Sequence, residues 1–568
     1  MKVRLVTLVL LITFGCSSSR DSATTDSNSV SKPSTDTEIL ISYQDRITVP
    51  YLRTHLSVLA ADSMEGRETG TRGQIMAAEY LAGQYRSMGL KPVGDNGTYY
   101  QNFDLSATKR DSTVFKTYKV EDGEKELIER SVESLDKMAS YIRSYGGSDS
   151  LSGEIVFAGF GVNDPANNIA HLEGLNLSGK WVLVFEEIPH VVDGDTLVNP
   201  AIDGRRRLAS AVNQKGAEGL LLIPDMNRAE FQDLAKRVQP MYSEPSSLSL
   251  DYLNSGSSSG FSKGYTVINP ELATKILDLK GPKDLDSLRA NLVDNISNFS
   301  PRTTGYMLSQ TPYSSKPKVE TENVLAFLEG GDPKLKDEVV VLTSHYDHVG
   351  IGRPDSTGDR IYNGADDDGS GTVAILNIAR AFTEARENGY VPKRSILFLN
   401  VTGEEKGLLG SRYYSDHPVI PIEKTVANIN TDMIGRIDAR HEKMGQENYS
   451  YIIGGKIISS QLDSLLEVAN KQSGNIELSS RYNDLKDPNR FYRRSDHWNF
   501  GRLGVPFVFF FTGIHEDYHR PSDEVHKIRF EKMAKIAKTM YATTVLIANT
   551  DKAPEVDNQE FIEITRDD

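Results

Sequence analysis

Between residues 338 and 523 the chain repeats one pattern, in which a short apolar run ends near an acid or a histidine. Glu338 to Ser344 leads into His345, Ser395 to Val401 stops just before Glu404, Val426 to Thr431 ends at Asp432, and Phe507 to Phe511 precedes His519. Gly371 to Glu384 has a helical period, with Ile375, Ile378, Ala379 and Phe382 on one stripe. Strands alternating with helices predict an α/β fold, a mostly parallel mixed sheet flanked by helices. Sites in such sheets form beyond the carboxyl ends of the strands. Four separated clusters of polar residues are therefore expected to meet at one edge.

The residues at those ends are metal-ligand types. His345 stands in T-S-H-Y-D-H, Asp367 in G-A-D-D-D-G-S-G, Glu405 in T-G-E-E-K-G, Asp432 in N-T-D-M-I-G and His519 in D-Y-H-R-P-S-D. Taken singly, each has a plain explanation: a structural histidine, acids at a helix start, a solvated Glu pair, a strand-end acid, a surface histidine. Three consecutive acids, Asp366 to Asp368, are costly without a cation. Together, two imidazoles and three carboxylates suit a pair of zinc-like ions sharing one carboxylate, with other divalent metals open on ligand type. Of Glu404 and Glu405, one as ligand and its neighbour as base is an economical division for metal-assisted hydrolysis. Asp347 lies where its carboxylate can hold the second nitrogen of His345. His497, in R-S-D-H-W, reads as a supporting or substrate-side group and not a ligand.

At 568 residues the chain exceeds one ordinary core, and two or three domains are expected. A net charge of -15 argues against nucleic acid as a partner, since a phosphate-binding surface needs a basic excess. Residues 45 to 107 read as α/β: Gly73 to Met88 is helical, with Ile75, Ala78, Ala82 and Tyr85 on one face, after a loop punctuated by Gly66, Gly70 and Gly73. From residue 108 the character changes. Val114 to Val120 alternates into an E-D-G-E turn, and a polar stretch to about Arg143 reads as helix. Gly179 to Phe185 is a strand, and Arg205 to Pro224 a helix leading into another. Ser255 to Gly264 is a Gly/Ser loop and Ser309 to Lys318 a Pro-containing linker.

The chain has a single cysteine, Cys16. Lys2 and Arg4, an apolar run from Leu5 to Phe14, then Gly15-Cys16 read as a lipoprotein-type signal peptide over residues 1–16. A Ser/Thr/Asp-rich tether is expected over 17–44 and an acidic tail over 551–568. The expected product is exported and membrane-anchored through a lipid on Cys16, facing the periplasm or cell exterior.

The motifs H-Y-D, D-D-D-G-S-G, G-E-E, D-M-I-G and Y-H-x-P-x-D, in that order, closely resemble the di-zinc metallo-exopeptidase family of bacterial leucyl aminopeptidase, glutamate carboxypeptidase II and the transferrin receptor. E-G-R-E-T-G-T and M-G-L-K-P-V-G resemble that family's N-terminal portion, and residues of about 140–300 resemble a protease-associated domain. The resemblance implies a catalytic domain split into 45–107 and 319–550, with 108–318 inserted. It implies two zinc ions: His345 and Asp432 on one, Glu405 and His519 on the other, Asp367 bridging, Glu404 as general base and Asp347 orienting His345. An aminopeptidase acting on peptides is the expected function. A carboxypeptidase of the same fold, with Arg490, Arg493 and Arg494 facing a terminal carboxylate, and a receptor-like binding protein are the alternatives.

Overall fold

A computed structural model describes residues 35–107, 109–134, 141–143, 150–238, 247–253 and 264–566. The signal segment with Cys16, residues 17–34 of the expected tether and residues 255–263 of the Gly/Ser loop lie outside the described residues.

The site sits on a nine-stranded sheet. Its centre is parallel: Val339–His345 lies between Ser395–Val401 and Thr425–Thr431, and Phe507–Phe511 continues beyond Thr425–Thr431. All four strands are buried along their whole length, as expected where helices cover both faces. The flanks are mostly antiparallel, with Glu477–Ser479 parallel to Tyr449–Gly454 at one edge. Lys318–Leu328 pairs with Ser395–Val401 and with Tyr100–Ser106, and Tyr449–Gly454 pairs with Phe507–Phe511. Gly371–Glu387 and Phe530–Asn549 cover one face, Phe382 and Tyr541 packing with Phe398 in the largest core. Leu397, Leu399, Tyr414 and Phe500 pack on the other.

The helix expected over 73–88 spans Arg72–Ser87, and Ala78, Ala82 and Tyr85 are buried. Ile75 is instead 44% exposed. Gln74 turns inward in its place, donating to the Tyr346 hydroxyl at 2.6 Å and accepting from Thr321 at 2.9 Å.

Residues 109–315 build a second sheet of eight strands. Its middle is parallel: Leu151–Phe157, Lys180–Phe185, Gly219–Ile223 and Tyr265–Ile268. The polar stretch read as helix is in part a strand, Glu124–Ser134, antiparallel to Lys109–Glu121. The Asp122-Gly123 turn, both residues at positive φ, folds it back, and cross-strand pairing overrides its polar composition. The linker expected over 309–318 is largely strand as well, Arg302–Ser315. Pro312 is tolerated there because that end of the strand pairs with Lys109–Glu121 alone, Leu151–Phe157 reaching only Gln310. One short strand of this region, Ser249–Leu250, leaves its own sheet and pairs with Leu105–Ser106 at the edge of the first.

Both terminal expectations need correction within the described residues. Thr35–Ser42 is a helix, not tether, with Leu40 and Ile41 buried, and Tyr541 donates to the Leu40 carbonyl at 2.8 Å. The tail contains the helix Gln559–Thr565, which buries Phe561 against Trp498 and Phe507. Apolar residues in a polar context cover exposed core in both places. No helix among the described residues is long and apolar enough to cross a membrane.

Candidate metal centre

The parallel strands bring all five expected ligands together. His345 is the last residue of its strand, and Asp432 follows Thr431 directly. Its Nε2 lies 3.3 Å from Asp367 Oδ1 and 3.6 Å from Asp432 Oδ1. His519 Nε2 lies 3.2 Å from Asp367 Oδ2 and 3.0 Å from Glu405 Oε2. Asp367 thus turns one oxygen to each imidazole.

The local chain explains why the middle acid faces inward. Asp366 Oδ1 accepts the Gly435 amide at 2.6 Å, and Asp368 Oδ1 accepts those of Gly371 at 2.9 Å and Met433 at 3.1 Å. The two outer acids hold backbone, and Asp367 is left for the site. Asp523 Oδ2 accepts the amides of Asp366 and Asp367 at 2.9 and 3.1 Å, joining the loop that carries His519 to the acid turn.

Asp347 acts differently from the expectation. The acceptor at hydrogen-bond distance from His345 Nδ1 is its backbone carbonyl, at 3.0 Å, and its carboxylate stands 3.7 Å away. That carboxylate takes the Thr69 hydroxyl at 2.8 Å and the Glu404 amide at 3.2 Å. It therefore fixes the turn of Glu404 beside the histidine.

A sixth group joins the cluster. His348, fully buried, places Nδ1 2.8 Å from Glu405 Oε1 and 3.8 Å from Asp367 Oδ2. Its signal was the second histidine of H-Y-D-H, which sequence reasoning left unassigned. His497 is not at the centre. Its ring packs between Phe507 and Phe509, with centroids at 4.6 and 4.5 Å, and burial lowers its pKa to about 3, so it is a neutral core histidine.

Five facing atoms are buried with no hydrogen bond: His345 Nε2, His348 Nδ1, Asp367 Oδ2, Glu405 Oε1 and His519 Nε2. Buried polar atoms are rarely left so, and a cation among them would satisfy all five. His345, Asp367 and Asp432 form one group that could hold an ion, and His348, Asp367 and Glu405 another. The electrostatics agree with the chemistry of these donors. Burial pushes the Glu405 carboxyl up, but Asp367 aside, the imidazoles of His348 and His519 outweigh it and hold it at about 2. Burial instead raises Glu404 well above the usual carboxylate range, against the pull of His345 and with Asp432, Glu405 and Asp496 pushing the same way.

A recess opens on Asp367, Glu404 and Asp432, walled by Met433, Phe491, Phe509, Phe511, Ile514 and Tyr518. Arg494 stands at it with its guanidinium 5.0 Å from the Phe491 ring. Arg493 lies over Trp498, at 4.4 Å, and does not line it.

Residues 323–544 match the model of Peptidase family M28. The probable leucine aminopeptidase 2 of Aspergillus oryzae is 33% identical over 198 residues, 34% of this chain and 34% of that protein. Aminopeptidase Y of Saccharomyces cerevisiae is 24% identical over 267 residues, 43% of this chain and 42% of its own. The chain thus spans about a third of the length of the first of these relatives. An aminopeptidase from Aneurinibacillus sp. strain AM-1 superposes with a TM-score of 0.46 and 17% identity, over 92% of this chain and 100% of its own. The segment that matches the family model, residues 323–544, holds every residue of the centre.

Proposed function

We propose that the chain is a metal-dependent aminopeptidase that removes N-terminal residues from peptides, with two zinc ions held by His345, Asp367, Asp432, Glu405 and His519. The observation that carries this reading is the set of buried, unpartnered imidazole and carboxylate atoms facing one another beside Glu404. Two ions bound there would polarise the scissile carbonyl and make a water acidic enough to attack it. Asp367, with an oxygen toward each imidazole, would be the ligand the two ions share.

Glu404 is the general base. It takes the proton of the attacking water at its carboxylate and hands it to the departing amine. Burial raises its pKa above the usual carboxylate range, which favours a group that takes up a proton. Asp347 holds the Glu404 backbone in place. The aromatic and aliphatic wall of the recess supports a large apolar side chain at the substrate's first residue, and the surrounding carboxylates support a free ammonium.

Arg494 favours the second reading, a carboxypeptidase, because a guanidinium at the recess suits a terminal carboxylate. One short peptide with a free and with an acetylated N-terminus separates the two. Chelator-sensitive cleavage of the free form alone is expected. Cleavage of both forms would establish the carboxypeptidase, and cleavage of neither, with zinc bound, would refute both.

Export with a lipid on Cys16 is proposed on the sequence from Lys2 to Cys16. Labelled palmitate should enter the expressed protein and not its Cys16→Ser variant. By its resemblance, the stretch of about residues 140–300 within the inserted region is read as a protease-associated domain.

A further inference from the structure

The metal reading gives each ion two residues of its own beside Asp367, and on it rests an inference about a residue outside that set. His348 has no exposed surface, and neither ring nitrogen has a hydrogen-bond partner. Its place is built. Its backbone amide donates to the Arg67 carbonyl at 3.1 Å. Its ring lies against Gly364, where a Cβ would stand 2.5 Å from His348 Cδ2 and 2.3 Å from the Asp367 carbonyl. Gly364 is at φ +54, so only glycine fits easily there and lets the imidazole approach the acid turn.

The geometry around Glu405 is that of a ligand shell. His348 Nδ1 faces one of its oxygens at 2.8 Å and His519 Nε2 faces the other at 3.0 Å. The same two nitrogens lie 3.8 and 3.2 Å from Asp367 Oδ2. Ligand atoms around a tetrahedral zinc, at about 2.0–2.2 Å from the ion, are separated by roughly 3.3–3.6 Å. The four distances bracket that value.

We propose that His348 is a metal ligand, so that the two ion positions are unequal: His348, His519, Glu405 and Asp367 fill one with four protein groups, whereas His345, Asp432 and Asp367 leave the other with three. Four protein ligands make a closed, structural kind of site, and three leave a place for substrate or water. The recess supports this division independently. Its lining includes Glu404, the shared Asp367 and, of the residues belonging to one position alone, only Asp432 of the three-ligand position; His345, like His348, His519 and Glu405, does not line it. The three-ligand position is the reacting one, and the four-ligand position binds first and holds longer.

The test is to load metal-free full-length protein with one equivalent of zinc and count imidazoles by X-ray absorption, then to measure zinc affinity against a chromophoric chelator. Two imidazoles per zinc are expected in the wild type and one in His348→Ala. The tighter binding step should weaken by more than about 100-fold, beyond the 10–100-fold typical of a residue that only supports a ligand. His348→Asn, which keeps a polar group in the cavity, gives the same comparison if the alanine variant does not fold. One imidazole per zinc in the wild type would overturn the proposal while leaving the metal reading intact, and so would unchanged affinity in both variants. Absence of zinc binding altogether would sink the metal reading and this proposal with it.

Discussion

Replacing Arg67 with methionine should unfasten the centre without touching a ligand. Arg67 is 1% exposed and its guanidinium donates to four backbone carbonyls: Tyr346 at 2.8 Å, Leu59 and Asn363 at 2.7 Å, and Gly364 at 2.9 Å. Two of those segments flank proposed ligands, Tyr346 following His345, and Asn363 and Gly364 leading into Asp367. Methionine fills much of the volume and supplies no donor. Each buried acceptor left unmet costs about 1–3 kcal/mol. Even at the low end, four of them total roughly 4 kcal/mol, a large part of a domain's stability. Asp347, Asp523, Asp367 and Asp368 also lose a buried positive neighbour. In urea the loss of tertiary signal should move down by about 1 M or more, and zinc should leave the variant faster on dialysis against a chelator. Arg72→Met is the control, since Arg72 makes only a solvent-exposed pair with Glu65 and should cost below about 1 kcal/mol. A midpoint for Arg67→Met indistinguishable from that of Arg72→Met would refute the reasoning.

Three other changes test separate parts of the structure. Glu404→Gln should lower kcat by about 10²–10⁴ with zinc content unchanged, as metal analysis beside steady-state rates would show. Gly66→Ala should cost about 2 kcal/mol or more, because Gly66 is at φ +66 and a Cβ would stand 2.5 Å from the Gly350 carbonyl oxygen; a thermal midpoint matching wild type would count against it. Burial holds Lys532 at about 7, down from 10.5, with Nζ donating to the Arg436 carbonyl. Between those values the unfolded chain binds the extra proton, so stability should rise with pH across that window. Lys532→Met should remove that rise, and parallel melting curves of variant and wild type from pH 7 to 10 would contradict it.

The parts of the fold that were legible in sequence are those where one residue type answers to one physical demand. Strands buried on both faces are mostly apolar, so Val339–His345 and Ser395–Val401 announce themselves, and an acid or histidine ending such a strand stands out. The acid turn was legible as a cluster, yet which acid faces inward depends on backbone amides at Gly371, Met433 and Gly435 that no local pattern reveals. His348 was hidden for a similar reason, since its aim depends on Gly364 and Arg67, both distant in sequence. Glu124–Ser134 reads as helix because its charges are common in helices, whereas pairing across the Asp122-Gly123 turn decides its state. Leu40, Ile41 and Phe561 sit in polar surroundings, and only the core they cover gives them structure.

The route of the chain through its two sheets also sets an order of folding. Apart from Leu105 and Ser106, Tyr100–Ser106 has no strand partner until Lys318–Leu328 is made, and the Leu40 carbonyl receives the Tyr541 hydroxyl from the far end of the chain. The sheet of residues 109–315 closes within its own span, apart from the Ser249–Leu250 strand that must wait for Leu105–Ser106 to be seated. Contacts of such long range are slow to form because the intervening loop must be closed first. The inserted sheet can therefore finish early and shorten that loop, bringing residues 107 and 316 close enough for the split sheet to assemble around them.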